Sequence, residues 1–369
     1  MSSAEDAEFM RRALALGRTG QGAASPNPSV GAVLVRDGAV VGSGVTQPGG
    51  RPHGERVALD AAGAAARGAT LYVTLEPCAH AGRGPSCASG VIEAGVARVV
   101  SAMEDPDPRT AGAGHAMLRS AGIAVDVGLG EDEARRDHRG HILRVLQGRP
   151  MVTLKFARTA DGFAAGLDHD PRLAITGEAA NTRVHELRAQ HDAIMVGAGT
   201  ARADDPLLTV RLPGSLRRPL RVVLDSTLSL SRRSRLAATA HDFPTLAITT
   251  GRARALDADA LKALGVDVEK VGADRDGHVD LLEALRALAR RGSARVFSEG
   301  GPLVGAQLIV SGLADEVFLF TSFKPLGRPG LPALSHASQS ALADPARYRA
   351  LAGGEIGRDR FAHFERVGP

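Results

Sequence analysis

The chain has 369 residues, 44% hydrophobic and 23% charged, which excludes a disordered or fibrous protein and, at about 150 residues per domain, points to two domains or three. Lysine and arginine number 45 against 41 acidic residues, so the pI of 9.5 reflects a thin surplus rather than a basic tail, and 3% aromatics with no Trp leaves little to stack on nucleic-acid bases. No apolar run approaches the ~18 residues of a membrane span, and the acidic opening Ser3-Ala4-Glu5-Asp6 lacks the basic start of a secretory leader, so the expected location is cytoplasmic with no membrane partner.

The spacing of Phe9, Ala13 and Leu16 predicts a helix over 5–17. After the turn-rich Ser25-Pro26-Asn27-Pro28, apolar runs over 30–35 and 40–45 flank Asp37-Gly38, a strong hairpin signal. An Ala-rich helix is expected over 55–66, a strand over 71–75, a helix over 87–94 and a strand over 97–102. A polar helix over 131–146 stops at Gly148 and Pro150. A second series then begins with strands over 151–156, 193–196, 220–224, 245–249, 294–297 and 316–320. Alternation of this kind argues for two α/β domains joined near residue 149, over 1–148 and 149–369.

His53-Gly54-Glu55 opens the second helix, Glu76-Pro77-Cys78 follows the third strand, and Cys87 comes nine residues later. One imidazole and two thiols are donors that zinc prefers, and three of them leave a fourth position for water, as catalytic sites do. Such a metal makes hydroxide available near neutral pH. Glu55, two residues beyond His53, is placed to shuttle protons without being a ligand. Taken singly, a His before a helix is an ordinary loop residue and two cysteines are small buried hydrophobes. The joint pattern uses both cysteines of the chain and points to a metal.

In order and spacing, several motifs resemble the cytidine and nucleotide deaminase superfamily and, more narrowly, the bifunctional deaminase–reductases of riboflavin biosynthesis. They are Ser25-Pro26-Asn27-Pro28, Pro52-His53-Gly54-Glu55, Thr74-Leu75-Glu76-Pro77-Cys78-Ala79-His80 with Cys87, and Asp105-Pro106-Asp107-Pro108 followed by Gly112-Ala113-Gly114. The eight residues between Cys78 and Cys87 separate this group from deaminases with Pro-Cys-x-x-Cys. The resemblance implies a cytidine-deaminase-like, three-layer first domain. In it His53, Cys78 and Cys87 hold one zinc per chain, Glu55 is catalytic, and Asn27 and His80 meet the substrate. Three positions depart from the family pattern: Asp107 and His138 stand where Asn is usual, and Gly54 where Ala is. Loss of one methyl at Gly54 is expected to be tolerable, with added backbone freedom.

In the second half, Gly197-Ala198-Gly199-Thr200 and Ser298-Glu299-Gly300-Gly301 each follow a strand and precede a helix. Such turns allow close backbone approach and favour a phosphate, or are simply tight turns; no Gly-x-Gly-x-x-Gly occupies a strand–helix junction. Val152-Thr153-Leu154-Lys155 with Asp161-Gly162, the stretch from Leu187 to Ile194, Asp204-Asp205-Pro206-Leu207-Leu208-Thr209-Val210-Arg211, and Arg221-Val222-Val223-Leu224-Asp225-Ser226 are similar to the reductase half of the same family. That implies a dihydrofolate-reductase-like domain using NADPH, with Ala157, Thr200, Asp204, Ser226 and the turn from Gly301 on the cofactor. Arg188, Leu208, Arg211 and Glu299 then face the substrate, the two arginines gripping its phosphate. The family's Ser-x-Trp-Ile-Thr is replaced by Arg172-Leu173-Ala174-Ile175-Thr176, which alters the expected reductase pocket.

The expected enzyme deaminates a phosphorylated diaminopyrimidine and then reduces its ribosyl group, with a small-molecule partner, no nucleic acid, and pairing of chains through the reductase domain as in the family. Two rivals stay open from the residues alone: a nucleic-acid deaminase, and an active deaminase carrying a degenerate or regulatory reductase domain.

Overall fold

The computed structural model describes residues 3–80, 84–167, 170 and 173–368. The chain divides into two compact units, Met1–Gly148 and Arg149–Pro369, each with its own sheet and core.

In the first unit, α1 (Ser3–Thr19) leads into the hairpin β1 (Gly31–Arg36) and β2 (Ala39–Val45). Asp37 and Gly38 both take left-handed backbone, φ 51° and 77°, a turn whose twist matches the flanking strands. There follow α2 (Gly54–Ala62), β3 (Thr70–Val73), α3 (Cys87–Glu93), β4 (Arg98–Ser101), α4 (Ala113–Ser120), β5 (Ala124–Val127), α5 (Glu131–Asp137) and α6 (Arg139–Gln147). The strands lie in the order β2-β1-β3-β4-β5, antiparallel on both sides of β1 and parallel from β3 to β5. The Cβ direction of Gly31 runs into Ala13 of α1, while that of Gly44, on the opposite face, runs into Gly54 and Ala58 of α2. Helices therefore cover both faces, giving three layers.

Two helices end differently from their sequence pattern. The helix expected over 55–66 stops at Ala62; Gly63 turns left-handed (φ 52°) and a 3-10 turn, Gly63–Ala66, completes the segment. The helix expected over 131–146 is two helices, broken at buried His138 (φ −92°, ψ 7°). Its Nε2 lies 3.1 Å from the Thr74 hydroxyl. The ring thus ties the break to the segment leading to Cys78, which gives a physical account of histidine at this position.

The second unit contains β6 (Met151–Arg158), β7 (Phe163–Ala165), α7 (Glu178–Ala189), β8 (Ala193–Gly197), α8 (Ala198–Asp204), β9 (Leu220–Leu224), α9 (Arg235–Ala238), β10 (Thr245–Thr249), α10 (Ala255–Lys262), β11 (Val266–Lys270), α11 (Leu281–Arg290), β12 (Arg295–Ser298), α12 (Pro302–Val310), β13 (Glu316–Ser322), β14 (Leu331–Pro332), α13 (His336–Ala343), β15 (Tyr348–Ile356) and β16 (Asp359–Arg366). Nine strands form one sheet, β11-β10-β9-β8-β12-β6-β13-β16-β15, parallel as far as β13 and antiparallel beyond it. Leu285 and Leu288 of α11 and Leu308 and Ile309 of α12 join one apolar core with Leu154 and Val296. Val184 and Leu187 of α7, with Leu236 and Leu261, join a second with Val196 and Val223. Adjacent residues of a strand point to opposite faces, so the two cores lie on the two sides of the sheet. β15 is an edge strand exposed along most of its length, and so lacks an apolar run; β5, β7, β11, β14 and β16 likewise lie outside the strands expected from the sequence. Arg172 lies outside the described residues; Ala174 is exposed. No described helix is long and apolar enough to cross a membrane.

Candidate active sites

Helix α2 begins at Gly54, which leaves His53 just ahead of it on extended backbone, its ring free of capping duty. Cys87 opens α3 after Ser86, whose hydroxyl accepts the Ser89 N–H at 3.1 Å. Cys78 lies beyond β3, and the first turn of α3 closes on it. The Cys87 N–H donates to the Cys78 sulfur at 3.3 Å, and the Ala88 N–H to the Cys78 carbonyl at 3.2 Å. His53 Nδ1 lies 3.2 Å from Cys87 Sγ and 3.8 Å from Cys78 Sγ, and the three donor atoms are all within 4.8 Å of one another. A tetrahedral zinc with bonds of about 2.0–2.3 Å spans its ligand atoms by roughly 3.5–3.8 Å, so the donor set fits the ion in type and in spacing. Asn27 Nδ2 stands 3.2 Å from His53 Nε2 and donates to the Gly50 carbonyl at 2.8 Å. The Asn27 amide thus meets the ring at Nε2 and leaves Nδ1 to the sulfurs.

Glu55 is 2% exposed, and its Oε2 is buried with no hydrogen-bond partner. Burial pushes its carboxyl above the usual range; His53 opposes this and the Cys78 charge adds to it. Cys78 moves the other way: hydrogen bonds from Cys87 and then His53 bring its thiol to about 4, against burial, while Cys87 beside that sulfur is pushed up. The group therefore combines a thiolate, a second thiol, an imidazole and a carboxyl ready to hold a proton. His80 is exposed, with Nδ1 3.5 Å from the Thr110 hydroxyl, apart from the triad.

Glu76 belongs to the motif around Cys78, but nothing in its spacing assigns it a task. Its buried carboxylate accepts four backbone N–H groups, from Asp105 (3.1 Å), Gly112 (2.9 Å), Gly114 (2.8 Å) and His115 (3.2 Å), tying that loop to the Cys78 segment. Glu76, Glu104 and His115 make the other metal-like cluster among the described residues, but four donors use up the lone pairs Glu76 has to offer.

At Gly54 the structure gives a packing reason for the missing methyl. A Cβ there would stand 2.2 Å from the Val30 carbonyl oxygen, so the close seat of α2 on the β1–β2 hairpin depends on the missing methyl. Gly54→Ala is expected to cost about 1–3 kcal/mol through overpacking, more than alanine's propensity gain of up to about 1 kcal/mol. A fall of several degrees in Tm checks this. An unchanged Tm shows that α2 shifts without penalty.

In the second unit, Ala157, Thr200, Ser226 and Gly301 lie at or just past the C-terminal ends of β6, β8, β9 and β12, four adjacent strands of the parallel part of the sheet. Ligands of open α/β sheets bind along such an edge. The turns before α8 and α12 meet there: a Cβ on Gly301 would come within 2.8 Å of the Thr200 hydroxyl. That bare backbone at a helix start suits a phosphate-bearing cofactor. Asp204 ends α8, and the Ser226 hydroxyl accepts the Val279 N–H at 3.0 Å.

The residues expected to face the substrate gather around α7. Arg188 is 8% exposed and forks onto Glu299, Nε to Oε1 at 2.6 Å and Nη2 to Oε2 at 2.9 Å, while Nη1 donates to the Thr209 carbonyl at 2.8 Å. Its bidentate face is thus committed to Glu299, where the sequence reading has it gripping phosphate. Burial raises the Glu299 carboxyl, but Arg188, with Lys155 and His185, outweighs burial and holds it below the usual range. Leu208 is buried with left-handed backbone (φ 50°), as is the backbone of Asp205 (φ 37°); each costs an L-residue roughly 1–2 kcal/mol. Arg211, at the end of this segment, is exposed, and its N–H donates to His185 Nδ1 at 3.1 Å. Neither His185 nor Lys155 stands out by spacing; only the fold brings them to Arg211 and Glu299.

Comparison with known proteins matches residues 3–103 to the cytidine and deoxycytidylate deaminase zinc-binding region, and residues 150–343 to the RibD C-terminal domain. The chain is similar to the riboflavin biosynthesis protein RibD of Bacillus amyloliquefaciens, 39% identical over 86% of this chain and 84% of that protein. It is 37% identical to RibD of Escherichia coli K12, over 91% of this chain and 94% of the other. Among solved structures, RibD of Acinetobacter baumannii superposes with a TM-score of 0.86 at 31% identity, covering 99% of both chains. The diaminohydroxyphosphoribosylaminopyrimidine deaminase/5-amino-6-(5-phosphoribosylamino)uracil reductase of Thermotoga maritima gives 0.83 at 33%, again over 99% of both.

Proposed function

The chain belongs to the RibD family, the bifunctional deaminase–reductases of riboflavin biosynthesis, and from that membership we propose how its residues divide the two reactions. The first unit hydrolyses the amino group of 2,5-diamino-6-ribosylamino-4(3H)-pyrimidinone 5′-phosphate, giving a uracil and ammonia. The second reduces the ribosyl group of that product to ribityl. Relatives that cover both halves favour this over a deaminase carrying a degenerate or regulatory reductase domain, or a nucleic-acid deaminase.

The observation that carries the reading is the triad of His53, Cys78 and Cys87 with buried Glu55 beside it, its Oε2 unpartnered. These three residues hold one zinc per chain, which when bound makes a water nucleophilic near neutral pH. Asn27, beside the His53 ring, meets the substrate. Glu55 carries one proton from the attacking water to the pyrimidine ring nitrogen and a second from the newly added hydroxyl to the departing amino group, so that a carbonyl remains and ammonia leaves; His80 lies toward the substrate.

In the second unit Ala157, Thr200, Asp204, Ser226 and Gly301 bind NADPH, which when bound supplies hydride for C1′ of the opened sugar. Glu299 faces the ribosyl group with its carboxylate oriented by Arg188. Leu208 lines the same pocket, and Arg211 takes the substrate phosphate. Pairing of two chains through this unit and a cytoplasmic location complete the proposal.

The test supplies the diaminopyrimidine phosphate and follows ammonia release and the uracil spectrum, then NADPH oxidation at 340 nm. Ammonia released without NADPH, and oxidation on its addition, is the expected result. Ammonia release with no oxidation leaves a deaminase with a silent second unit and overturns the reductase half.

A further inference from the structure

The segment 205–211 carries two non-glycine residues in left-handed backbone, so it keeps its shape only because other groups hold it. Alternate residues are pinned. Asp205 Oδ1 accepts the Arg235 N–H at 2.8 Å, the Leu207 carbonyl accepts from Arg221 Nη1 at 3.2 Å, and the Thr209 carbonyl accepts from Arg188 Nη1 at 2.8 Å. The last pin is His185 Nδ1, which accepts the Arg211 N–H at 3.1 Å. His185 and Arg188 are three apart on α7 and so share one helix face. One helix therefore sets both Glu299, through Arg188, and the backbone from which Arg211 departs, through His185.

From this juxtaposition we infer that His185 is a positioning residue of the reductase, placing Arg211 for the substrate phosphate. The inference rests on the assignment of Arg211 to that phosphate. The bond requires an imidazole with a free Nδ1 lone pair, because an imidazolium has only donors. The surroundings keep it neutral: burial first, then the Arg188 and Arg211 charges, bring His185 down to about 4, against Glu299 and the Thr209 carbonyl. The ring therefore stays an acceptor throughout the neutral range.

The experiment measures reduction of 5-amino-6-(5-phosphoribosylamino)uracil by the full-length enzyme and its variants His185→Ala, His185→Asn, Arg211→Ala and the double variant His185→Ala/Arg211→Ala. His185→Ala is expected to raise KM for this substrate about tenfold, with kcat within threefold and KM for NADPH unchanged. Asn carries an acceptor near the Nδ1 position and is expected to restore KM to within threefold. Because His185 acts through Arg211, the double variant is expected to match Arg211→Ala alone. If Arg211→Ala leaves KM unchanged, the phosphate assignment fails. If Arg211→Ala raises KM but His185→Ala does not, the positioning role fails while the assignment stands. Equal rises in KM for substrate and NADPH, or a double variant worse than Arg211→Ala, also overturn it. Should His185→Ala fail to fold, His185→Asn against His185→Gln decides, since Gln moves the acceptor away from Nδ1; equal KM values for the two refute the inference.

Discussion

Glu55→Gln is expected to lower deamination by roughly 10²–10⁴, the usual share of general acid–base catalysis, while zinc content and reduction stay as they are. Gln preserves the size of the side chain and one oxygen but cannot carry the proton. The native carboxyl is buried, its Oε2 has no partner, and burial pushes its protonation upward, so it holds a proton more readily than a surface glutamate. Zinc is retained because the donor triad of His53, Cys78 and Cys87 is complete without it. Reduction of separately supplied deaminated substrate is unaffected, since every residue assigned to that step belongs to the unit Arg149–Pro369. Steady-state rates of both reactions with metal analysis of the same preparation check the result. Zinc loss makes Glu55 a ligand or a structural residue, and full deaminase activity removes it from the mechanism.

Cys87→Ser is expected to abolish deamination by removing the metal. A serine hydroxyl does not ionise near neutral pH, so two donors remain of three, and the α3 turn loses the sulfur that faces both His53 and Cys78. Zinc should fall from one equivalent to well below 0.1 (about tenfold or more) on gel filtration, with reduction retained. The native site has a matching pH dependence. Cys87, pushed up by its neighbour, gives up a proton when zinc binds, so zinc affinity falls by about tenfold for each pH unit lowered, and by more where a second ligand also releases one. A chelator competition between pH 8 and 6 reads this slope. A pH-independent affinity, or full zinc in Cys87→Ser, is incompatible with the triad.

Much of this protein was legible from residue order. The hairpin at Asp37-Gly38 follows from local turn chemistry, and the alternation of strands and helices follows from side-chain period. The donors His53, Cys78 and Cys87 with Glu55 announce themselves because zinc chemistry restricts residue types, and each lies beside a helix start or a strand end. These are short-range signals, set by backbone preference and by the scarcity of cysteine in the chain.

Other features depend on groups distant in sequence. Arg188 and Glu299 are 111 positions apart, and their pairing, which commits the guanidinium to a carboxylate rather than a phosphate, exists only once α7 and the turn after β12 meet. The four N–H groups gathered by Glu76 come from residues 29 to 39 positions later. His138 breaks a continuous helical pattern to reach Thr74, 64 positions away, and Gly54 is demanded by the Val30 carbonyl rather than by any local preference. By itself the sequence determined which chemistry the chain can perform, because donor types and local periods are written residue by residue. Tertiary structure alone decided which charges are spent on one another, because burial makes each polar group find a partner wherever folding delivers one.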